Sequence, residues 1–195
     1  MSDSLDILKD WAQIVAWLVA SVGGVMAAFR AVVEMRRARE QRDEDLRWRQ
    51  AREAKGLMDE MEGDSWASNA MQMLDWTGRE YEIAEGKRAI IDTDTMRAAL
   101  RTHPETFNDV EVYIRDCFDH FFDWLEQLEH FVAISLVRFE DLEDGVDYYV
   151  ERLAWSPQVY QEFMRTYHYD KALRFLDRFP AWRSSLAVGG APATP

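Results

Sequence analysis

The run IVAWLVASVGGVMAAF, Ile14 to Phe29, carries no charged side chain. Extended by Trp11, Ala12 and Gln13, it makes a helix about 28 Å long. That matches the roughly 30 Å hydrocarbon core of a bilayer. The run is therefore expected to span a membrane, with Trp11 and Trp17 toward one interface and Arg30 snorkelling at the other. A secretory signal peptide would need a basic start, whereas Asp3, Asp6, Lys9 and Asp10 precede the run and arginines crowd its far side. A buried soluble helix would need the rest of the chain to cover all its faces. Ala16, Ala20, Gly24 and Ala28 recur every four residues and so stack on one helix face. Small residues at that spacing let two helices approach closely in lipid, which makes this the candidate face for self-association into a homo-oligomer.

Outward from the run, the charges are asymmetric. Lys9 is the basic residue before it, while Arg30, Arg36, Arg37, Arg39, Arg42, Arg47 and Arg49 follow it. The positive-inside rule then places the N-terminus outside and the C-terminal bulk in the cytoplasm. A lone cysteine, Cys117, agrees with a reducing compartment and excludes an intramolecular disulfide or a multi-cysteine zinc site. Pairs at helical spacing run through the next stretch: Arg36 with Glu40, Arg39 with Asp43, Asp43 with Arg47, Asp45 with Arg49, and Arg49 with Glu53. Such pairs favour a solvated helical stalk. No apolar heptad runs through Arg36–Asp45, so a coiled coil is not indicated there. Arg30, Arg36, Arg37 and Arg39 are the candidates for anionic lipid headgroups, against the plainer reading of topology signal and solvated stalk.

The whole chain has 195 residues and 22.9 kDa, enough for one domain with an appendage. Thirty-six acidic side chains against 23 basic give a net charge of −13, and the excess falls beyond the arginine-rich stretch. An acidic surface of that kind repels phosphate backbones, so no nucleic-acid partner is expected. With 48% hydrophobic and 13% aromatic residues, the chain has the material to fold.

The expected fold class is all-α. It comprises a transmembrane anchor at 1–33, a charged helical stalk at 34–62, an acidic multi-helix domain at 63–186 and a disordered tail at 187–195. In the domain, Gly63-Asp64-Ser65 supplies a break and a cap, and Trp66, Ala67, Ala70, Met71, Leu74, Gly78 and Tyr81 mark one helix face. Residues 86–92 read as a loop in which Ala89-Ile90-Ile91 is the one plausible strand, and Thr93 or Asp94 can cap a short helix reaching Arg101. Thr102-His103-Pro104-Glu105 has capping-box spacing and predicts a long helix from there, or from Thr106, to about Phe139. Gly145 is expected to break the chain, Ser156-Pro157 to start a helix reaching about Tyr167, and Pro180 to end the helix begun at Asp170.

The residues name no reaction. Asp116, His120, Asp123, Glu126 and His130 lie at helical spacing and form the candidate metal set. Yet neither the paired Glu-x-x-His pattern of di-iron bundles nor H-E-x-x-H is present, so a surface ion-pair network is the competing explanation. Cys117 falls on the apolar stripe, where a thiol is normally a small core residue. No phosphate loop or nucleophile elbow occurs, and no cofactor is expected. From Trp155 to Trp182 there are more aromatics than one helix face can bury, which predicts an exposed aromatic patch for a partner protein.

The order of these features resembles bacterial families of membrane-anchored helical proteins of unknown function. The resemblance is carried by the apolar helix, the arginine-rich helix, Trp66, Ala70, Met71, Met73 and Leu74, and then Leu125-Glu126-Gln127-Leu128-Glu129-His130-Phe131 leading to Gly145. It covers most of the chain and implies an inner-membrane helical protein. It singles out Glu129 and implies no catalytic residue. The leading functional expectation is a single-pass membrane protein whose cytosolic domain works through protein contacts. The alternatives are a metal-dependent helical enzyme or effector, and a membrane-active toxin or defence effector.

Overall fold

A computed structural model describes the backbone of residues 3–102 and 106–189, and the side chains of Met26, 29–102 and 106–184. Among the described residues it contains seven helices and one two-stranded antiparallel hairpin. The chain is mostly helical, in agreement with the all-α expectation. No helix of the described residues is long and apolar enough to cross a membrane. Most side chains of the expected span, including the Ala16, Ala20, Gly24 and Ala28 face, lie outside the described residues. So do residues 190–195 of the expected tail, whereas residues 187–189 are helical.

The chain divides into two compact units, Met1–Arg49 and Gln50–Pro195. Helix α1 is Asp3–Gly63. Its side chains Arg30, Arg36, Arg37 and Arg39 are exposed, and none of the five expected pairs closes to ion-pair distance. The pair that does close in α1 is Lys55–Asp59 at 3.0 Å. From Gln50 onward a stripe of Gln50, Ala54, Met58 and Met61 is buried, so this part of the expected stalk belongs to the helical domain.

Within the second unit, α2 (Ser65–Asp75) starts at the Asp64 cap and buries Ala67, Ala70, Met71, Met73 and Leu74. It stops six residues before the expected Tyr81, because Trp76 is extended and Gly78 takes a left-handed φ of 77°. The stretch after it is strand, not helix. Strands β1 (Arg79–Ala84) and β2 (Lys87–Ile91) pair antiparallel with Tyr81 opposite Ala89, and Gly86 (φ 69°) turns the hairpin. Tyr81 and Ile91 face the core from this hairpin.

Helix α3 (Thr93–Ala99) is capped by Asp92, whose carboxylate accepts from Thr95 N at 2.8 Å. Helix α4 (Asp109–Ala133) is capped by a reciprocal box in which Asn108 Oδ1 accepts from Glu111 N and Glu111 accepts from Asn108 N, both at 3.0 Å. The long helix thus starts later than expected, using the same motif at Asn108 in place of Thr102. It also ends earlier. Ser135 adopts φ 59°, Leu136 N donates back to Phe131 O at 2.9 Å, and Gln50 Nε2 holds the Ser135 carbonyl at 2.8 Å.

Helices α5 (Phe139–Trp155), α6 (Pro157–Thr166) and α7 (Asp170–Gly189) complete the unit. Gly145 lies inside α5 and breaks nothing. A Cβ there would meet Met58 Cε at 2.5 Å, so the glycine admits α1 against α5. Pro180 likewise lies inside α7. The helix continues past it because Phe175, Phe179 and Trp182 pack round Phe139, with ring centroids 5.6–5.8 Å apart. At the centre, α4 buries Ile114, Cys117, Phe118, Phe121, Phe122, Leu125 and Leu128 against α2, α3 and α7.

Candidate functional site

The expected metal set is brought together only in part. Asp116 is exposed. His120 turns to Asp64, its Nδ1 at 3.0 Å from Asp64 Oδ2. Glu126 Oε1 accepts from the backbone N of Lys171 at 2.9 Å, capping the first turn of α7 from another helix. Asp123, Glu126 and His130 line one open depression of about 250 Å³ with Gln127 and Lys171. Desolvation and the neighbouring Glu126 charge push the Asp123 carboxyl upward. Among the described residues, no group of three or more His, Cys, Asp or Glu side chains is placed to hold a metal ion.

Asp64, which sequence spacing marks only as a cap, is a hub. Oδ1 accepts from Trp66 N at 2.9 Å and Ala67 N at 3.4 Å, while Oδ2 accepts from Trp124 Nε1 at 3.1 Å and pairs with His120. Burial pushes this carboxyl upward, but the donors of His120, Trp124, Trp66 and Ala67 outweigh it and hold the group below the usual range. Cys117 is buried, and desolvation pushes its thiol up to about 12, which removes it as a nucleophile at neutral pH. Glu129 is 3% exposed and accepts from Arg178 Nη1 at 2.6 Å, joining α4 to α7, while its Oε2 has no hydrogen-bond partner.

The arrangement with chemistry directed outward lies where α2 ends beside the last turns of α5. The C-terminal aromatics are buried or partly buried except Trp155 at 71% exposure, Tyr148 at 46% and Tyr167 at 41%, and Trp76 after α2 is 57% exposed. Tyr148, Arg152 and Trp155 fall at i, i+4 and i+7 on α5, so they share its outer face. The Arg152 guanidinium lies over Trp155 at 4.3 Å and over Tyr148 at 5.2 Å. Its Nε donates to Tyr148 Oη at 2.8 Å, and its Nη2 donates to the Asp75 carbonyl at 3.3 Å, which ties α5 to the end of α2. Arg79 covers Trp76 from the hairpin at 5.2 Å.

Beside Trp155 is a dimple of about 120 Å³. Met73, Leu74, Met96 and Tyr160 belong to its lining, with Thr77, Thr93, Arg152 and Trp155 at its rim. Of the run Trp155–Trp182 expected to supply an exposed aromatic patch, Trp155 belongs to this surface, Tyr167 is exposed elsewhere on the run, and the other rings are buried or partly buried. The contributions of Trp76, Arg79 and Asp75 depend on the hairpin, which helical periodicity hides. No family model matches the chain, and neither the curated proteins nor the solved structures contain a match.

Proposed function

We propose that this protein is a single-pass, membrane-anchored interaction protein. Its acidic helical domain recognises a partner protein through the Trp76, Arg79, Tyr148, Arg152 and Trp155 surface. The observation that carries the reading is the exposure of two tryptophans and a tyrosine, braced by stacked guanidiniums, on a domain whose other rings, Tyr167 apart, are buried or partly buried. Tryptophan, tyrosine and arginine are the residues that dominate protein–protein binding energy. Arginines stacked in this way hold the rings in place before a partner arrives, lowering the entropy lost on binding.

The anchor in this reading is the apolar run Ile14–Phe29, in a bacterial inner membrane with its N-terminus outside. The test places a photo-crosslinking residue at Trp155 in the full chain and, as control, at the exposed His168. An irradiation-dependent adduct from position 155 alone is the expected result, in a fraction that resists carbonate extraction. Equal labelling from both positions, or none, refutes the interaction surface. Release by carbonate refutes the anchor.

A further inference from the structure

We infer that the partner segment is an acidic peptide: one apolar side chain enters the dimple beside Trp155, and a neighbouring carboxylate is held by Arg152. The inference rests on reading this surface as an interaction face, and it names the chemistry of what binds there.

The first observation is size and lining. The dimple's 120 Å³ is comparable to the ~150 Å³ left when one buried aliphatic side chain is removed from a core. It is too small for a helix face and suits a single Leu-, Met- or Pro-sized group. Met73, Leu74, Met96 and Tyr160 give that group apolar contacts, and the Trp155 ring walls it from one side. A small pocket of this kind beside an exposed tryptophan is the anatomy of a binding hot spot.

The second observation is charge. In this acidic unit most guanidiniums have found carboxylates: Arg88 with Glu80, Arg97 with Asp94, Arg101 with Glu111, Arg138 with Asp141, Arg178 with Glu129, and Arg183 with Asp147 and Glu151. Arg152 has none within 4.0 Å among the described residues, which is also true of Arg52, Arg79, Arg115 and Arg165, but of these five Arg152 alone lines the dimple. The contacts of Arg152 are a hydroxyl, a backbone carbonyl and two ring faces, and those of Arg79 are ring faces. The Asp75 side chain behind them faces inward, its Oδ2 3.5 Å from the Tyr149 hydroxyl and its Oδ1 buried. The Arg152 guanidinium at the rim of the dimple therefore has no carboxylate of its own, and it complements one carried by a ligand.

The experiment pans a random dodecapeptide phage library on the full-length chain in detergent. Enriched peptides are then resynthesised and titrated against wild type, Trp155→Ala and Arg152→Gln, each shown to be folded by circular dichroism. The expected peptides carry an apolar residue next to Asp or Glu. Their affinity falls about tenfold or more in Trp155→Ala and in Arg152→Gln. Replacing the peptide acid by its amide weakens binding to wild type but not to Arg152→Gln. Peptides that need Trp155 yet are basic, or indifferent to the acid-to-amide change, overturn the acidic-ligand inference and leave the interaction surface standing. If nothing enriches, or if the enriched peptides bind Trp155→Ala unchanged, both readings fall.

Discussion

At the scale of single residues, one carboxylate carries most of the electrostatics of the α1–α2 junction. Asp64 caps α2 and holds His120 and Trp124 of α4, so Asp64→Ala removes a helix cap and strands two side-chain donors. A loss of about 1–3 kcal/mol is expected in urea unfolding followed by tryptophan fluorescence. Asp64→Asn keeps capping capacity and isolates the charge. Because folding lowers the pKa of Asp64, its charge stabilises the fold fully above about pH 4. That stability is lost as pH falls through the depressed folded value. The gap between wild type and Asp64→Asn should therefore be constant near neutrality and close on acidification; a gap that widens in acid would contradict the assignment. A second carboxylate makes the opposite point about burial. Arg178→Ala removes the hydrogen-bonded partner of the enclosed Glu129 and leaves it Arg174 Nε at 3.9 Å, so about 1.5–3 kcal/mol should be lost. Adding Glu129→Leu should recover part of that, since the poorly partnered buried carboxyl is then gone. Cap spacing makes Asp64 visible in sequence, but its partners are 56 and 60 residues away, and only the fold brings them together.

At the scale of elements, boundaries follow from backbone conformation more than from hydrophobic period. The stripe Ile114, Cys117, Phe118, Phe121, Leu125 and Leu128 is legible because a helix buries one face along its whole length. Its ends are not, since Thr102-x-x-Glu105 and Asn108-x-x-Glu111 offer the same capping chemistry. What favours the second is that Glu111 also pairs with Arg101. The hairpin is hidden for a related reason: Tyr81 suits a helical spacing after Leu74 and a strand alternation with Ile83 equally well, and Gly78 decides between them through its positive φ. Pro180 shows tertiary packing overriding local propensity. An interior proline removes one helix hydrogen bond and costs about 3 kcal/mol in an isolated helix. Here the rings of Phe175, Phe179 and Trp182 against Phe139 hold the helix through it. Pro180→Ala restores a donor to an exposed position without disturbing those rings, so the unfolding free energy should rise by about 1–3 kcal/mol. A fall would mean that the proline shapes the α5–α7 contact and is not merely tolerated there.

At the scale of the molecule, the helical domain begins inside a helix. Charge density sets Arg30–Lys55 apart as one solvated segment, because sequence composition cannot say where a charged helix starts to be covered. Burial can: Gln50, Ala54, Met58 and Met61 are enclosed, while every side chain from Glu34 to Arg49 is exposed. These four residues do distinct work. Gln50 holds the Ser135 carbonyl at the left-handed turn between α4 and α5, Met58 packs against Gly145 of α5, and Ala54 and Met61 complete the core. The exposed aromatic surface depends on them indirectly, since α5 carries both Gly145 and the Tyr148, Arg152 and Trp155 face. Two truncations separate the alternatives. A chain starting at Gln50 keeps the stripe and should unfold cooperatively with the stability of the longer chain. A chain starting at Ser65 loses the burial of Ala54, Met58 and Met61 together with the Asp64 cap. At 1.5–3 kcal/mol for each fully buried large side chain, that is a loss on the order of 5 kcal/mol. A domain of this size has about 5–15 kcal/mol in all. The shorter chain should therefore be partly unfolded at 37 °C, with Trp155 no longer held against Arg152 and the dimple lost. If it instead melts at the same temperature as the Gln50 chain, the last turns of α1 are an accessory to the domain, and the partner surface stands on α2 to α7 alone.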